Sequence, residues 1–137
     1  MINGKRVLAV VPARSQSSRL PGKNMKLLLG KPLIAWSIEQ ALRCSEIDRV
    51  MVSTDSDEIA ECSRNFGADV PFLRPPSLAT DSTSSWEVLK HVVNFYTDNN
   101  DFYDIVVLMQ PTSPLRGDAV ISEVINKLAN GSFESIA

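Results

Sequence analysis

The sequence has 137 residues, a formal net charge of −2 and an apolar fraction of 44%, which suits one folded domain with its own core and argues against a disordered chain. Its longest apolar runs, residues 7–11 and 105–109, are too short to span a bilayer, and residues 1–11 lack the features of a secretory signal peptide. Cys44 and Cys62 have neither zinc-ligand nor CxxC spacing. We therefore expect a cytoplasmic protein with reduced cysteines and no membrane partner.

The first half of the chain alternates buried strands with amphipathic helices. A continuous apolar run predicts a strand over residues 6–11, ended by Pro12, because a strand buried on both faces shows no polar alternation. The segment that follows has apolar residues at helical spacing, namely Ile34, Ile38, Ala41 and Leu42. A second strand is predicted over residues 49–53, and the helix after it ends at Gly67. The apolar side of that helix is formed by Ile59, Cys62 and Phe66.

The second half of the chain continues this alternation. The pattern predicts a short strand over residues 70–73, ended by Pro75 and Pro76, and another over residues 105–109. Two helical stripes accompany them: Trp86, Leu89, Val93 and Tyr96, then Ile121, Val124, Ile125 and Leu128. The beginning of one more strand is predicted at residues 133–137. Such an order predicts an α/β fold, in which helices cover both faces of a parallel sheet.

Three loops follow predicted strands, and ligands of open α/β sheets bind at the carboxyl ends of the strands. The first, second and third loops cover residues 12–24, 74–85 and 110–117 and are rich in hydroxyl, amide and guanidinium groups. The charge is also uneven, since residues 1–38 have seven basic side chains and no acidic one, while residues 39–137 have seven basic and sixteen acidic ones. This asymmetry predicts an anionic ligand near the first loop.

The first loop suits a triphosphate, although it contains neither the GxGxxG nor the GxxxxGK[ST] motif. Its small side chains leave backbone N–H groups open to a ligand, and Arg14, Arg19 and Lys23 supply charge-assisted hydrogen bonds. A solvated basic surface loop is the alternative interpretation. A nucleic-acid partner is not expected, because no aromatic side chains are interleaved with the basic ones and the rest of the chain is acidic.

The first loop also has the string PARxxSxxLPxKN over residues 12–24, which resembles the phosphate loop of the acylneuraminate cytidylyltransferases, the CMP-sialic acid synthetases. The resemblance continues in order along nearly the whole chain, through residues 30–34, 52–55, 73–75, 81–85 and 108–116. One departure is Ser18-Arg19, since the resulting SxRLPGK string is closer to the cytidylyltransferases for the eight-carbon sugar Kdo. Asn24 and the string QPTSPLR favour the nine-carbon group.

The resemblance implies a fold, a reaction and partners. The fold would be a three-layer Rossmann-like parallel sheet of the nucleotide-diphospho-sugar transferase type, with residues 1–137 as the nucleotide-binding part of a single domain. The hydroxyl of an acidic sugar would attack the α-phosphate of CTP, and pyrophosphate would leave with Mg²⁺. The family's magnesium-binding aspartates and homodimer contacts lie beyond the matched motifs. We therefore expect a truncated chain without metal ligands of its own, which binds nucleotide weakly and does not turn over.

The resemblance also assigns site residues by position. Arg14 and Lys23 would be catalytic because they hold the triphosphate, and Arg74 would read the cytosine edge with its rigid donor fork. For Arg74, an ion pair within its loop is the alternative. The complete nucleotide-binding set would be Arg14, Ser17, Arg19, Lys23, Asn24, Arg74, Thr83 and Ser85. The sugar would contact Gln110, Thr112, Ser113 and Arg116.

Other residues are interpreted as structural. His91 has no Cys or acidic partner at ligand spacing, and Trp36 and Trp86 are expected to pack in the protein rather than to stack on a ligand. An acidic cluster is interpreted as a helix start rather than a metal site: Asp55, Asp57, Glu58 and Glu61. Two functional alternatives stay open: a cytidylyltransferase for Kdo or a pseudaminic- or legionaminic-type sugar, and a non-catalytic nucleotide-binding fragment.

Overall fold

A computed structural model describes residues 1–15, 25–111 and 118–129 of the chain. Its strands, in chain order, are β1 (Val7–Pro12), β2 (Leu27–Leu28), β3 (Lys31–Pro32), β4 (Arg49–Ser53) and β5 (Ile105–Leu108). Its α-helices are α1 (Leu33–Arg43), α2 (Asp57–Asn65), α3 (Ser85–Asp98) and α4 (Asp118–Ala129). A 3₁₀ turn spans Pro76–Leu78.

β1 is the centre of a parallel sheet whose described strands have the order β4–β1–β5. Val10 of β1 lies opposite Met51 on one side and Leu108 on the other. Residues 7–11 are fully buried, as expected for an apolar strand with a neighbour on each side and a helix layer on each face. The strands predicted over residues 6–11, 49–53 and 105–109 are confirmed to within one residue at each end.

Helices cover both faces of this sheet. The odd-numbered apolar residues of β1 pack against α1, α2 and α4 on one face. On the other face, Leu8 and Val10 pack against Val92 and Tyr96 of α3. The alternation follows from the two-residue period of a strand, which sends successive side chains to opposite faces. The three-layer α/β fold predicted from the sequence is therefore confirmed.

The strand predicted over residues 70–73 is wrong. The segment makes an isolated bridge between Asp69 and Met51 and continues without regular structure to the 3₁₀ turn. Pro71 explains the difference, because proline has no N–H to donate to a strand ladder. Val70 is nevertheless buried, so its apolar character marks the core and not a strand.

The buried face of α3 differs from the predicted stripe. The residues that face the core are Val88, Val92 and Tyr96. Trp86 is 69% exposed, so the expectation that it packs in the protein is wrong. Trp86 lies two residues before Val88, roughly 200° around the helix, which turns its side chain away from the sheet. A capping box between Ser84 and Glu87 fixes this first turn.

A small antiparallel hairpin, β2–β3, leads into α1 and was not predicted from the sequence. Its turn residues Leu29 and Gly30 have φ values of 53° and 81°, as a tight hairpin turn requires. Trp36 donates its indole N–H to the carbonyl of Leu28 at 2.9 Å. Trp36 is half-buried and held against the hairpin by this bond, which fits the structural role predicted for it.

Three further expectations concern the chain as a whole. Cys44 and Cys62 are free thiols, as predicted. Within the described ranges, none of the helices is both long enough and apolar enough to cross a bilayer. The strand predicted at residues 133–137 lies outside the described residues.

Candidate functional site

The first loop leaves β1 at the carboxyl edge of the sheet and is described as far as Ser15. Ala13 donates its backbone N–H to the carbonyl of Ser53 at 2.9 Å, so the loop begins against the end of β4. Asp55 then holds Ser15, whose backbone N–H donates to one carboxylate oxygen at 2.8 Å and whose hydroxyl donates to the other at 2.7 Å. The predicted nucleotide-binding residues of this loop that lie outside the described residues are Ser17, Arg19, Lys23 and Asn24.

Asp55 belongs to this site and not to the first turn of α2, where the sequence pattern predicts it. The helix is capped by Ser56, whose hydroxyl accepts a hydrogen bond from the N–H of Ile59 at 3.2 Å. Its first-turn acids are Asp57 and Glu58, as predicted. Asp55 precedes the cap and directs its carboxylate to the first loop. Asp55 could have been found from its position two residues after the end of β4, a strand that neighbours β1.

The carboxylate of Asp55 stays ionised in this setting. Burial would raise the pKa of Asp55, but the two hydrogen bonds from Ser15 and the charge of Arg74 bring it below the ordinary value. A charged acceptor with two short donors is a firm contact, because hydrogen bonds to ionised groups are about twice as strong as neutral ones.

Arg74 lies in the second loop and is buried, with 4% of its surface exposed. Its Nε–H donates to the hydroxyl of Ser53 at 3.0 Å, and one terminal nitrogen donates to the carbonyl of Ser53 at 2.7 Å. The other terminal nitrogen donates to the carbonyl of Leu78 at 3.1 Å, and the backbone N–H donates to the carbonyl of Thr54 at 2.7 Å. Among the described residues, all of these acceptors are neutral.

The charge of Arg74 is only partly compensated. Burial lowers the pKa of Arg74 to about 10, Asp55 opposes this shift and Arg14 adds to it, so the side chain is still a cation at neutral pH. Each terminal nitrogen carries two hydrogens, and one on each has no acceptor among the described residues. Since a buried cation is costly unless it is paired, the guanidinium is suited to an anionic or carbonyl-bearing ligand.

An ion pair joins the first loop to the second. The Nη1 atom of Arg14 lies 2.7 Å from Oδ1 of Asp81, whose side chain is 65% exposed. Asp81 sits in the turn before α3, where the hydroxyls of Thr80 and Thr83 lie 2.8 Å apart and share a hydrogen bond. The side chain of Thr83 therefore fixes this turn. The carboxylate of Asp81 is therefore paired with Arg14, the cation that the family resemblance assigns to the triphosphate.

The beginning of α3 meets the end of β5 at the same edge of the sheet. Gln110 donates from its side-chain amide to the hydroxyl of Ser85 at 3.5 Å, which is a long hydrogen bond. The structure thus brings a predicted nucleotide-binding residue beside a predicted sugar-binding one. The other predicted sugar contacts, Thr112, Ser113 and Arg116, lie outside the described residues.

His91 of α3 packs edge-on against Phe72, with ring centroids 4.8 Å apart. Its Nδ1 atom is buried and has no hydrogen-bond partner in the part of the chain that the structure describes. Burial lowers the pKa of His91, and the charge of Arg74 lowers it further. A ring that stays neutral among such neighbours fits the structural role predicted for it.

The described residues do not fit the magnesium ion that the resemblance implies. Over residues 1–15, 25–111 and 118–129, no three His, Cys, Asp or Glu side chains are grouped to hold a metal. Mg²⁺ is usually bound by one or two carboxylates together with substrate phosphates. However, Asp55 is engaged by Ser15, and Asp81 by Arg14. We therefore assign no catalytic step to a metal.

Comparison with known sequences gives one consistent group. A family model described as cytidylyltransferase matches residues 8–137. A CMP-N,N'-diacetyllegionaminic acid synthase from Legionella pneumophila is 43% identical over 134 residues, which is 96% of this chain and 58% of the relative. An N-acylneuraminate cytidylyltransferase from Escherichia coli is 42% identical over 88% of this chain and 27% of the relative. A pseudaminic acid cytidylyltransferase from Campylobacter jejuni is 38% identical over 88% and 52%.

Solved structures agree with these relatives. A CMP:2-keto-3-deoxy-manno-octonic acid synthetase complexed with CTP superposes with a TM-score of 0.74 at 25% identity, over 91% of this chain and 48% of that one. A 4-diphosphocytidyl-2C-methyl-D-erythritol synthase has a TM-score of 0.72 at 11% identity and shows the same fold. The chain spans 58% or less of the length of each of the three relatives.

Proposed function

Because the cytidylyltransferase model matches residues 8–137, the chain belongs to that family, and we propose that it is the nucleotide-binding part of a CMP-sugar synthetase. The reaction transfers CMP from CTP to an acidic nonulosonic sugar of the N-acylneuraminate type and releases pyrophosphate. The observation that carries the proposal is the guanidinium of Arg74, which is buried at the carboxyl edge of the sheet and held by neutral oxygens.

The proposed chemistry needs positioning and charge neutralisation rather than covalent catalysis. A sugar hydroxyl oxygen bonds to the α-phosphorus while the bond from that phosphorus to the bridging oxygen of pyrophosphate breaks, and the hydroxyl proton passes to solvent. Negative charge grows on the leaving pyrophosphate, where Arg14 and the predicted loop residues Arg19 and Lys23 would offset it. The two remaining N–H groups of Arg74 would meet the carbonyl oxygen and ring nitrogen of cytosine, since both are acceptors and the fork is rigid.

The proposed class of acceptor sugar, an acidic nonulosonic sugar, is supported by the relatives, which are named for legionaminic, N-acylneuraminic and pseudaminic acids. A legionaminic-type sugar is the second candidate, because the relative named for it aligns with 96% of this chain. Kdo is a weaker candidate, supported by the SxRLPGK string of the first loop. The proposal also includes a homodimer, a cytoplasmic location and Mg²⁺ with ligands outside the motifs of this chain.

The decisive experiment measures pyrophosphate release from CTP with Mg²⁺ and, separately, N-acetylneuraminate, N,N'-diacetyllegionaminate, pseudaminate and Kdo. Calorimetry with CTP, UTP, ATP and GTP runs beside it. We expect residues 1–137 to prefer CTP over the other nucleotides but to release little or no pyrophosphate. In a longer form of the protein that supplies the Mg²⁺ ligands, one of the first two sugars should give the fastest release. Equal binding of ATP or GTP would refute the nucleotide assignment. CTP binding without release from any sugar in the longer form as well would favour the non-catalytic alternative.

A further inference from the structure

The first and second loops are both held by the residues at the end of β4. These are Ser53, the last residue of β4, and the two residues after it, Thr54 and Asp55; we call the three the β4 anchor. The carbonyl of Ser53 accepts from the N–H of Ala13 at 2.9 Å and from Arg74 at 2.7 Å. The carbonyl of Thr54 accepts from the backbone N–H of Arg74 at 2.7 Å. Asp55 accepts both hydrogen bonds from Ser15. The β4 anchor therefore sets the position of one loop relative to the other.

The members of the β4 anchor are well enclosed. Ser53 and Thr54 are fully buried, and Asp55 is half-buried. The hydroxyl of Thr54 accepts from the N–H of Ser56 at 3.2 Å, which ties the anchor to the start of α2. Because α2 has its own cap in Ser56, Asp55 is not needed to begin that helix.

An acid at this place requires a reason. A carboxylate near a triphosphate repels it. Asp55 therefore favours nucleotide binding only if its charge also stabilises other parts of the site. Both of its oxygens are occupied by Ser15, and its charge favours the cationic form of Arg74. The carboxylate thus interacts with the protein itself. It binds the loop expected to hold phosphate and stabilises the charge of the guanidinium expected to hold the base.

We propose that Asp55 is a positioning residue of the nucleotide site, which does not touch the nucleotide but fixes Ser15, and with it the start of the first loop, relative to Arg74. This inference rests on the proposed function. It predicts that the loss of Asp55 weakens the contacts to the phosphates more than the contacts to the base.

The test is Asp55→Asn, which keeps the shape of the side chain but removes its charge and one of its two acceptor oxygens. Calorimetry with CTP and with CMP gives the ratio of the two affinities, which reports the contribution of the outer phosphates. We expect this ratio to fall by about tenfold, the scale of one charge-assisted hydrogen bond. The matched control is Asp57→Asn, an exposed acid two residues further on, which should leave the ratio unchanged.

Ser15→Ala provides a second route to the same contact, because it removes only the hydroxyl donor. Its effect should be smaller than that of Asp55→Asn, and the double variant should lose no more than Asp55→Asn alone. Thermal melting of every variant separates loop positioning from general destabilisation. If Asp55→Asn does not fold, a reduced ratio in Ser15→Ala supports the inference and an unchanged ratio overturns it.

Several outcomes would overturn the inference without touching the proposed function. An unchanged ratio in Asp55→Asn, with or without an equal loss of CTP and CMP affinity, would indicate a merely structural acid. A higher ratio would show that repulsion of the phosphates outweighs positioning. By contrast, a parent protein that fails to bind CTP at all would refute the proposed function itself.

Discussion

Replacing Asp81 by Asn tests whether a carboxylate occupies Arg14 before the nucleotide arrives. The two side chains form a 2.7 Å ion pair in which Asp81 is 65% and Arg14 28% exposed. A pair this exposed contributes about 0.2–1 kcal/mol. If the triphosphate replaces Asp81 on Arg14, binding is weakened by that amount. Asp81→Asn should therefore tighten CTP binding by up to about fivefold.

The assay is calorimetry with CTP at low and high salt, because screening should shrink the gain from Asp81→Asn. The matched control is Asp98→Asn, which removes the same charge from an exposed position at the far end of α3. The gain should also disappear in the Arg14→Ala background, where there is no guanidinium to release. Melting temperatures should hardly change, since surface ion pairs add little stability.

Two results would refute this reasoning. Weaker CTP binding by Asp81→Asn would show that Asp81 supports the bound state and does not compete with it. An equal gain in the parent and in Arg14→Ala would show a general charge effect, independent of the ion pair.

Three further predictions concern the buried parts of the site and of the sheet. Arg74→Ala should lower both the melting temperature and CTP affinity, because it deletes a buried donor fork. An unchanged melting temperature would contradict the view that Arg74 holds the second loop on Ser53. Tyr96→Phe removes a 2.7 Å hydrogen bond to the carboxylate of Asp69, so urea unfolding should show a loss of about 1.5–3 kcal/mol, with CTP affinity unaltered. Since the pKa of His91 is lowered from 6.5 by burial and by Arg74, its contribution to stability is complete above that pH and is lost as the pH falls through the folded value. In urea titrations, the free energy of unfolding of His91→Gln should depend less on pH in this range than that of the parent. Parallel pH profiles of the two proteins would contradict the prediction.

The sequence by itself determined the layer order of the fold and the family. The apolar run of β1 predicts a strand buried on both faces, because hydrophobic period is a property of contiguous residues. The first loop, with Arg14 and its neighbours, was found in the same way, since its charge and its motif lie within 13 consecutive positions, residues 12–24. Features that adjacent residues encode can be predicted without coordinates.

The tertiary structure alone decided which of these groups meet. Asp55 holds Ser15 across 40 positions of the chain, and Asp81 pairs with Arg14 across 67. No local pattern encodes such contacts, because they arise only when parallel strands bring their carboxyl ends to one edge of the sheet. The exposure of Trp86 has the same origin: a helical stripe gives the period of α3, but the face that is buried depends on where the sheet lies.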